Sequence, residues 1–290
     1  MEMLEILSTN TTFFAFVATA IGLAIGSFLN VVIYRLPKML QADWRQQCLE
    51  FLEQKDDQAE KQERFDLNFP GSHCPHCQQS IPFYRNIPIV SYLLQKGRCA
   101  NCDAKISVRY PLVELLTAIL TLAVALKFGF DWLALAAMLL TWVLIALALI
   151  DYDTQLLPDN MTLPMVWLGL LLSLFPIFVD STSSIAGAVL GYMLLWSVYH
   201  LFKLITGKEG MGFGDFKLLA MLGAWLGWTM VPLIILLSSF AGAFIGIMLM
   251  IFKGHNKEKP IPFGPYLAIA GWLALMFGEN IMQYYLGYSV

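Results

Sequence analysis

The chain has 290 residues, of which 58% are hydrophobic and 13% are charged, with a mean hydropathy of +0.65 and a formal net charge of −3. Soluble globular domains carry a charge on about a quarter of their residues, so this composition excludes an ordinary soluble domain. It predicts an all-α polytopic membrane protein with lipid around it, and we expect no nucleic-acid partner.

Long apolar segments follow one another along the chain. Most have the length of about 17 to 25 residues with which a helix spans a bilayer. We expect about eight transmembrane helices, at residues 13–33, 111–126, 132–150, 161–179, 185–205, 216–228, 231–252 and 263–277. The segment 216–228 is short, which gives a range of roughly six to eight spans.

The basic residues predict the orientation of these helices. Seventeen of the eighteen Lys and Arg residues lie in the polar segments 35–109, 203–217 and 253–259, which an eight-helix topology places on one side. Lys and Arg in short loops are retained on the cytosolic side of a membrane. We therefore expect the N-terminus outside and the long polar segment 35–110 in the cytosol.

Two aspartates lie at the ends of apolar segments. Asp151 ends one such run, and Asp215 closes the sequence Gly212-Phe213-Gly214-Asp215 before another. The chain crosses the membrane twice between them, so both carboxyl groups are expected at the same membrane boundary. Two carboxyl groups at close range hold one proton between them, which is the state that an aspartic protease needs. Gly212 and Gly214 place no side chain beside Asp215, so a substrate backbone could approach it.

Structural roles are the alternatives for the acidic residues. Asp215 could be a helix N-cap, and Asp159 is favoured as one. Asp153 competes with Asp151, but at about 100° per residue the two point to nearly opposite sides of a helix. For Glu114, an interaction with the helix dipole in the first turn is favoured over a third catalytic acid. The residues alone leave catalysis and capping both open for the aspartate pair.

Four cysteines form two pairs in the polar segment, Cys74-Pro75-His76-Cys77 and Cys99-Ala100-Asn101-Cys102. Two Cys-x-x-Cys pairs at this separation are typical of a structural zinc site with four thiolate ligands. Disulfides are the alternative, but thiols stay reduced in the cytosol, where we expect this segment. We predict a zinc site formed by Cys74, Cys77, Cys99 and Cys102. No internal repeat is evident in the sequence.

Several further motifs occur in a fixed order along the chain. They are Gly26-Ser27-Phe28-Leu29-Asn30, Arg35-Leu36-Pro37, the two cysteine pairs, Arg109-Tyr110-Pro111-Leu112-Val113-Glu114, Asp151 with Leu157-Pro158-Asp159, Gly210-Met211-Gly212-Phe213-Gly214-Asp215-Phe216-Lys217, and Pro262-Phe263-Gly264-Pro265. With these motifs the chain resembles the bacterial type IV prepilin peptidases over essentially its whole length. Members of that family are bifunctional leader peptidases and N-methyltransferases, similar in action to other intramembrane proteases with a glycine-x-glycine-aspartate motif.

The resemblance implies an activity and a location. It implies cleavage of the basic leader of type IV prepilins and type II secretion pseudopilins, on the cytosolic side of the bacterial inner membrane. Methylation of the new N-terminal residue with S-adenosylmethionine would follow. The resemblance also implies that Asp151 and Asp215 are the catalytic aspartates and that the four cysteines form a metal-binding element. Methyl transfer rests on the resemblance alone, because the chain has no glycine-rich loop of the dinucleotide-binding kind.

We expect two domains. Residues 13–127 contain the first helix, the cytosolic four-cysteine segment 35–110 and the second helix, and residues 130–286 form the aspartic peptidase domain. Two other function classes are considered beside the peptidase. A proton- or ion-coupled transporter would use membrane carboxylates as relays, but it would need acids at mid-depth. A non-catalytic membrane anchor with a zinc knuckle would leave the two aspartates without a role.

Overall fold

The computed structural model describes residues 2–53, 64–253 and 262–287, and these are helical apart from their connections. The helices are α1 (Glu2–Thr9), α2 (Thr11–Phe51), α3 (Val90–Leu94), α4 (Arg109–Phe128), α5 (Trp132–Thr154), α6 (Asp159–Leu172), α7 (Ser181–Thr206), α8 (Phe213–Leu226), α9 (Met230–Lys253) and α10 (Gly264–Leu286). The predicted all-α class is confirmed. Four of the basic residues that were used to predict the orientation, Lys55, Lys61, Lys257 and Lys259, lie outside the described residues.

Within the described ranges, five helices are long and apolar enough to cross a membrane, namely α2, α4, α5, α7 and α9. This fits an integral membrane protein. Each predicted apolar segment overlaps one helix, but α6 and α8 have only 14 residues each. Their rise of about 21 Å is shorter than the hydrocarbon core of about 30 Å. The last helix, α10, is not among the five candidates, and it carries Glu279 and Asn280 near its end.

The chain divides into two compact units, Met1–Phe130 and Asp131–Val290. In the first unit, α2 lies antiparallel to α4 at very short range. A Cβ atom on Gly22 would lie 2.9 Å from the Ala118 Cα, and one on Gly26 would lie 2.7 Å from the Glu114 Cα. The two glycines are four residues apart, which is the spacing that lets the backbones of membrane helices touch.

Helix α2 is longer than the first predicted span, residues 13–33. The predicted span ends at residue 33, where the apolar run stops, but α2 continues through Pro37 to Phe51. The buried Arg35 guanidinium donates hydrogen bonds to the backbone oxygens of Asp66, at 2.9 Å, and Pro70, at 2.6 Å. Arg35 thus binds the polar segment to the side of α2.

In the second unit, α8 is the central helix and contacts α6, α7, α9 and α10. Most of its large side chains, including Phe216, Met221 and Trp225, are fully buried, as expected for a helix that is apolar on all sides, whereas Phe213 in the first turn is exposed. The Trp225 Nε1–H donates a hydrogen bond of 2.7 Å to the Met165 carbonyl oxygen in α6. A Cβ on Gly187 of α7 would collide with the backbone of Gly223, so α7 and α8 touch through their backbones.

Candidate active site and metal centre

Asp151 lies in the last turn of α5 and is 5% exposed. Its Oδ2 accepts a hydrogen bond of 2.9 Å from the backbone N–H of Gly264, the first residue of α10. The N-terminus of a helix carries a partial positive charge, which stabilises a carboxylate. A Cβ on residue 264 would lie 2.6 Å from this Oδ2 atom, so a glycine is needed for the contact.

Asp215 lies in the first turn of α8 and is 7% exposed. The N-cap position of α8 is occupied by Gly212, so Asp215 is not the N-cap residue, although its carboxyl group interacts with the backbone N–H of Gly212. The Oδ1 atom of Asp215 is buried, and it has no hydrogen-bond partner among the described residues. A buried polar atom without a partner costs about 1 to 3 kcal/mol and calls for an explanation such as a bound water or ligand.

The fold brings these two side chains together. Asp151 is close enough to Asp215 for the two carboxyl groups to interact electrostatically. They come from α5 and α8, and α10 contacts both of those helices. Asp153 is exposed, so it points away from the pair, as the helical spacing predicts. The buried pair is therefore formed by Asp151 and Asp215.

The two glycines of the Gly-x-Gly-Asp motif have different surroundings. A Cβ on Gly212 would find its nearest neighbour, the Asp215 Oδ2, at 3.9 Å, so there is open space beside the aspartate. A Cβ on Gly214 would lie 2.7 Å from the Leu157 Cβ. The space beside Gly214 is thus filled by the loop between α5 and α6, and the expected open approach is found only at Gly212.

Asp159 and Lys217 form an ion pair beside these elements. The Lys217 Nζ lies 2.7 Å from both carboxylate oxygens of Asp159, and the side chains are 27% and 55% exposed, respectively. The expected capping role of Asp159 is wrong, because Pro158 is the N-cap and Asp159 is the first helical residue of α6. The ion pair joins the first residue of α6 to α8, two residues after Asp215.

Glu114 was expected in the first turn of its helix, but α4 begins at Arg109 and no acidic residue lies in its first turn. The buried Glu114 Oε2 instead accepts a hydrogen bond of 2.7 Å from the backbone N–H of Ile89. Ile89 has a positive φ of 59°, which is rare for a β-branched residue. Glu114 therefore holds an unusual turn of the polar segment against α4, which is a structural role.

The four cysteines of the two pairs converge in the first unit. All four Sγ atoms lie within 4.8 Å of one another, and those of Cys74 and Cys102 are 3.8 Å apart. A tetrahedral zinc ion with Zn–S bonds of about 2.3 Å requires sulfur atoms about 3.8 Å apart. The thiols are free, so the disulfide alternative is wrong. The donor set fits zinc.

The two cysteine pairs lie on turns of the same design. In the first, the N–H groups of Cys74 and Gln78 donate to the carbonyls of Gln79 and Cys74, respectively. In the second, the equivalent bonds are Cys99 N–H to Ala104 O and Asp103 N–H to Cys99 O. Each turn is closed by an isolated β-bridge, His73 with Ser80 and Arg98 with Lys105. The chain thus contains a structural repeat, which the sequence analysis missed.

A hydrogen bond from Asn101 stabilises the thiolate form of Cys77, one of the four candidate metal ligands. The Asn101 side-chain amide donates to the Cys77 Sγ at 3.5 Å and lowers the pKa of Cys77 to about 6. Metal ions bind the thiolate form of cysteine, so a lower pKa favours binding near neutral pH. His73 and His76, which could have substituted as ligands, are not members of the cluster.

Sequence comparisons identify the family. The profile of the bacterial peptidase A24 N-terminal domain matches residues 20–128, and that of the type IV leader peptidase family matches residues 138–247. A protein from Stutzerimonas stutzeri named prepilin leader peptidase/N-methyltransferase is 52% identical over 289 residues, which are 100% of this chain and 99% of that relative.

Two further relatives carry the same name. The Aeromonas hydrophila protein is 55% identical over 265 residues, 91% of either chain, and the Pseudomonas aeruginosa protein is 50% identical over 289 residues, 100% of this chain and 99% of its own. No solved structure matches the chain. The resemblance inferred from the motifs is confirmed: the chain belongs to the type IV leader peptidase family.

Proposed function

We propose that this protein is an aspartic endopeptidase of the bacterial inner membrane that removes the leader of type IV prepilins and type II secretion pseudopilins and then methylates the new N-terminus. The relatives are named for leader peptidase and N-methyltransferase activities. The observation that carries the peptidase function is the buried, interacting pair of Asp151 and Asp215.

Asp151 and Asp215 are proposed as the catalytic groups. In a pair that shares one proton, the ionised carboxylate takes a proton from a water molecule, whose oxygen attacks the scissile carbonyl carbon. The protonated partner donates a hydrogen bond to the carbonyl oxygen, where negative charge develops. Gly212 leaves room beside Asp215 for the substrate backbone.

The four cysteines, Cys74, Cys77, Cys99 and Cys102, are proposed as the ligands of a structural zinc ion. The distances between their sulfur atoms support this assignment. When bound, zinc supplies a cross-link between the two turns and no open coordination position. For methyl transfer, S-adenosylmethionine is the proposed donor of the activated methyl group, on the strength of the relatives' names.

A topology with about eight spans is proposed, with the N-terminus outside and both the four-cysteine segment and the active site on the cytosolic side. The distribution of basic residues supports this orientation. The domains are proposed as residues 13–127 and 130–286. In a prepilin substrate the charged leader is followed by an apolar helix, so the cleavage site lies at the boundary between cytosol and membrane. The two aspartates are proposed to lie at the same depth.

The test is cleavage of a prepilin-like peptide by purified protein in detergent. We expect Asp151→Asn and Asp215→Asn each to abolish cleavage, while both variants fold and insert like the wild type. Asp153→Asn is the matched control, because it makes the same change two residues away on the exposed side of α5. Retained cleavage in either active-site variant would exclude the assigned pair. A transporter or a non-catalytic anchor would leave the peptide intact.

A further inference from the structure

The two aspartates differ in what binds them. The Oδ2 of Asp151 is held by the Gly264 N–H at 2.9 Å. The Oδ1 of Asp215, by contrast, is buried and finds no hydrogen-bond partner in residues 2–53, 64–253 and 262–287. Both carboxyl groups therefore interact with a backbone N–H, that of Gly264 for Asp151 and that of Gly212 for Asp215, but only Asp215 has a buried oxygen without a partner.

The position of Gly264 explains why it can hold a carboxylate. The N–H groups of the first turn of a helix have no acceptor within the helix, so the Gly264 N–H is available. Pro265 follows it, and proline fits the first turn because it has no N–H to satisfy and its φ is already helical. Asp151 itself lies in the last turn of α5, where the helix dipole disfavours a negative charge. The start of α10 offsets that effect.

The contact also depends on the missing side chain. A Cβ on residue 264 would lie 2.6 Å from the Asp151 Oδ2 and 3.0 Å from its Cγ, so any other residue would displace the carboxyl group. Because α10 contacts both α5 and α8, its first residue has a defined place relative to both aspartates.

We propose that Gly264 is a positioning residue for peptide cleavage: it fixes Asp151, so that the free oxygen of Asp215 is the one that meets the attacking water or the scissile peptide. The inference rests on the proposed peptidase function. A misplacement of about 1 Å in a catalytic group costs about 10²-fold in rate. Gly264 acts through Asp151 and does not itself touch the substrate.

The experiment compares Gly264→Ala with Gly278→Ala in the full-length protein. Gly278 lies in the same helix, and its added Cβ would come within 2.8 Å of the flexible Met230 side chain. We expect Gly264→Ala to lower kcat for cleavage by about 10²-fold with little change in KM. Gly278→Ala is expected to cleave at close to the wild-type rate. Wild-type kcat in Gly264→Ala, or an equal loss in Gly278→Ala, would overturn the proposal.

A double-mutant cycle tests the contact without using activity. We expect Gly264→Ala to lower the Tm in the wild-type background and to have much less effect in an Asp151→Ala background, where the crowded carboxyl group is absent. Equal Tm losses in both backgrounds would overturn the contact. If Gly264→Ala alone fails to fold, recovery of folding in the double variant supports the proposal, and continued failure opposes it.

Failure of the inference can be distinguished from failure of the peptidase function. If the Asp151→Asn and Asp215→Asn variants still cleave the peptide, the proposed function is excluded whatever Gly264 does. If both are inactive while Gly264→Ala retains the wild-type kcat, only the positioning role is excluded.

Discussion

The cysteine cluster is formed largely by residues that are close in the sequence, whereas the aspartate pair is formed by residues that are far apart in it. The cysteines come from two turns that have the same hydrogen bonds and lie side by side in space. Each half of the cluster is therefore formed by a few consecutive residues. The aspartates come from the end of one helix and the start of another, and a third helix contacts both. A local site can be read from residue spacing, whereas a distant pair depends on how whole helices meet.

The largest expected effect is loss of zinc from the cysteine cluster. Replacement of Cys74 and Cys99 by serine removes one thiolate from each turn, and structural zinc in small peptides contributes about 10 to 16 kcal/mol of binding free energy. We expect the bound zinc, measured by elemental analysis, to fall from one ion per chain to none. Residues 71–106 should also become sensitive to limited proteolysis.

Cys48→Ser is the control for this change, since Cys48 is exposed on α2 and lies outside the cluster. It should retain the full amount of zinc. Absence of zinc from the wild-type protein with four intact thiols would contradict the metal assignment.

The next effect tests whether the aspartates act as one unit. General acid–base groups contribute about 10²- to 10⁴-fold each, so we expect Asp151→Asn and Asp215→Asn each to lower kcat by a factor in this range or more, which an end-point assay registers as abolished cleavage. Groups that work together are not additive, and the double variant should be no slower than either single variant. Multiplicative losses in the steady-state cleavage rate would show that the two carboxyl groups act independently.

A smaller effect distinguishes the two motif glycines. Gly214→Ala places a Cβ against Leu157, and the resulting shift of Asp215 is expected to lower kcat by about 10²-fold. Gly212→Ala has room for its Cβ, so Asp215 should stay in place and kcat should remain near that of the wild type. The added methyl group narrows the proposed substrate approach, so we expect KM to rise. Cleavage kinetics of the two variants in parallel provide the measurement, and the opposite ranking would contradict the geometry described for the motif.

The smallest effect concerns the ion pair beside the active site. Lys217→Met removes the contact with Asp159, and partly exposed ion pairs contribute about 0 to 1 kcal/mol. We expect a small fall in Tm at low salt that disappears at high salt, because salt screens exposed charges. Lys203→Met, which removes a more exposed pair with Glu209, is the control and should change the Tm even less. A large loss of stability on Lys217→Met would indicate a role beyond the ion pair.

The same contrast explains what the sequence could predict. Apolar length predicted where helices lie, and the Cys-x-x-Cys spacing predicted the cluster, because both depend on nearby residues. The continuation of α2 through Pro37 was missed, since the span was ended where the apolar run stops, and the bonds from Arg35 to Asp66 and Pro70 come from far along the chain.

Other features were missed for related reasons. The repeated cysteine turns share few residue types besides the cysteines themselves, so their common hydrogen bonds are visible only in the structure. The contact of Gly264 with Asp151 joins residues 113 positions apart. The Gly-Pro sequence at the start of an apolar segment was the available signal, but it does not reveal the partner.

The short helix α6 has a consequence for the acyl chains around the protein. It has 14 residues and exposes Leu163, Trp167 and Leu171, so as one of the proposed spans it would offer the bilayer an apolar surface only about 21 Å tall. Lipids beside such a surface thin locally to match it. Headgroups and water would then be drawn inward next to the turn that bears Asp159, and we expect cleavage to be faster in bilayers with shorter acyl chains.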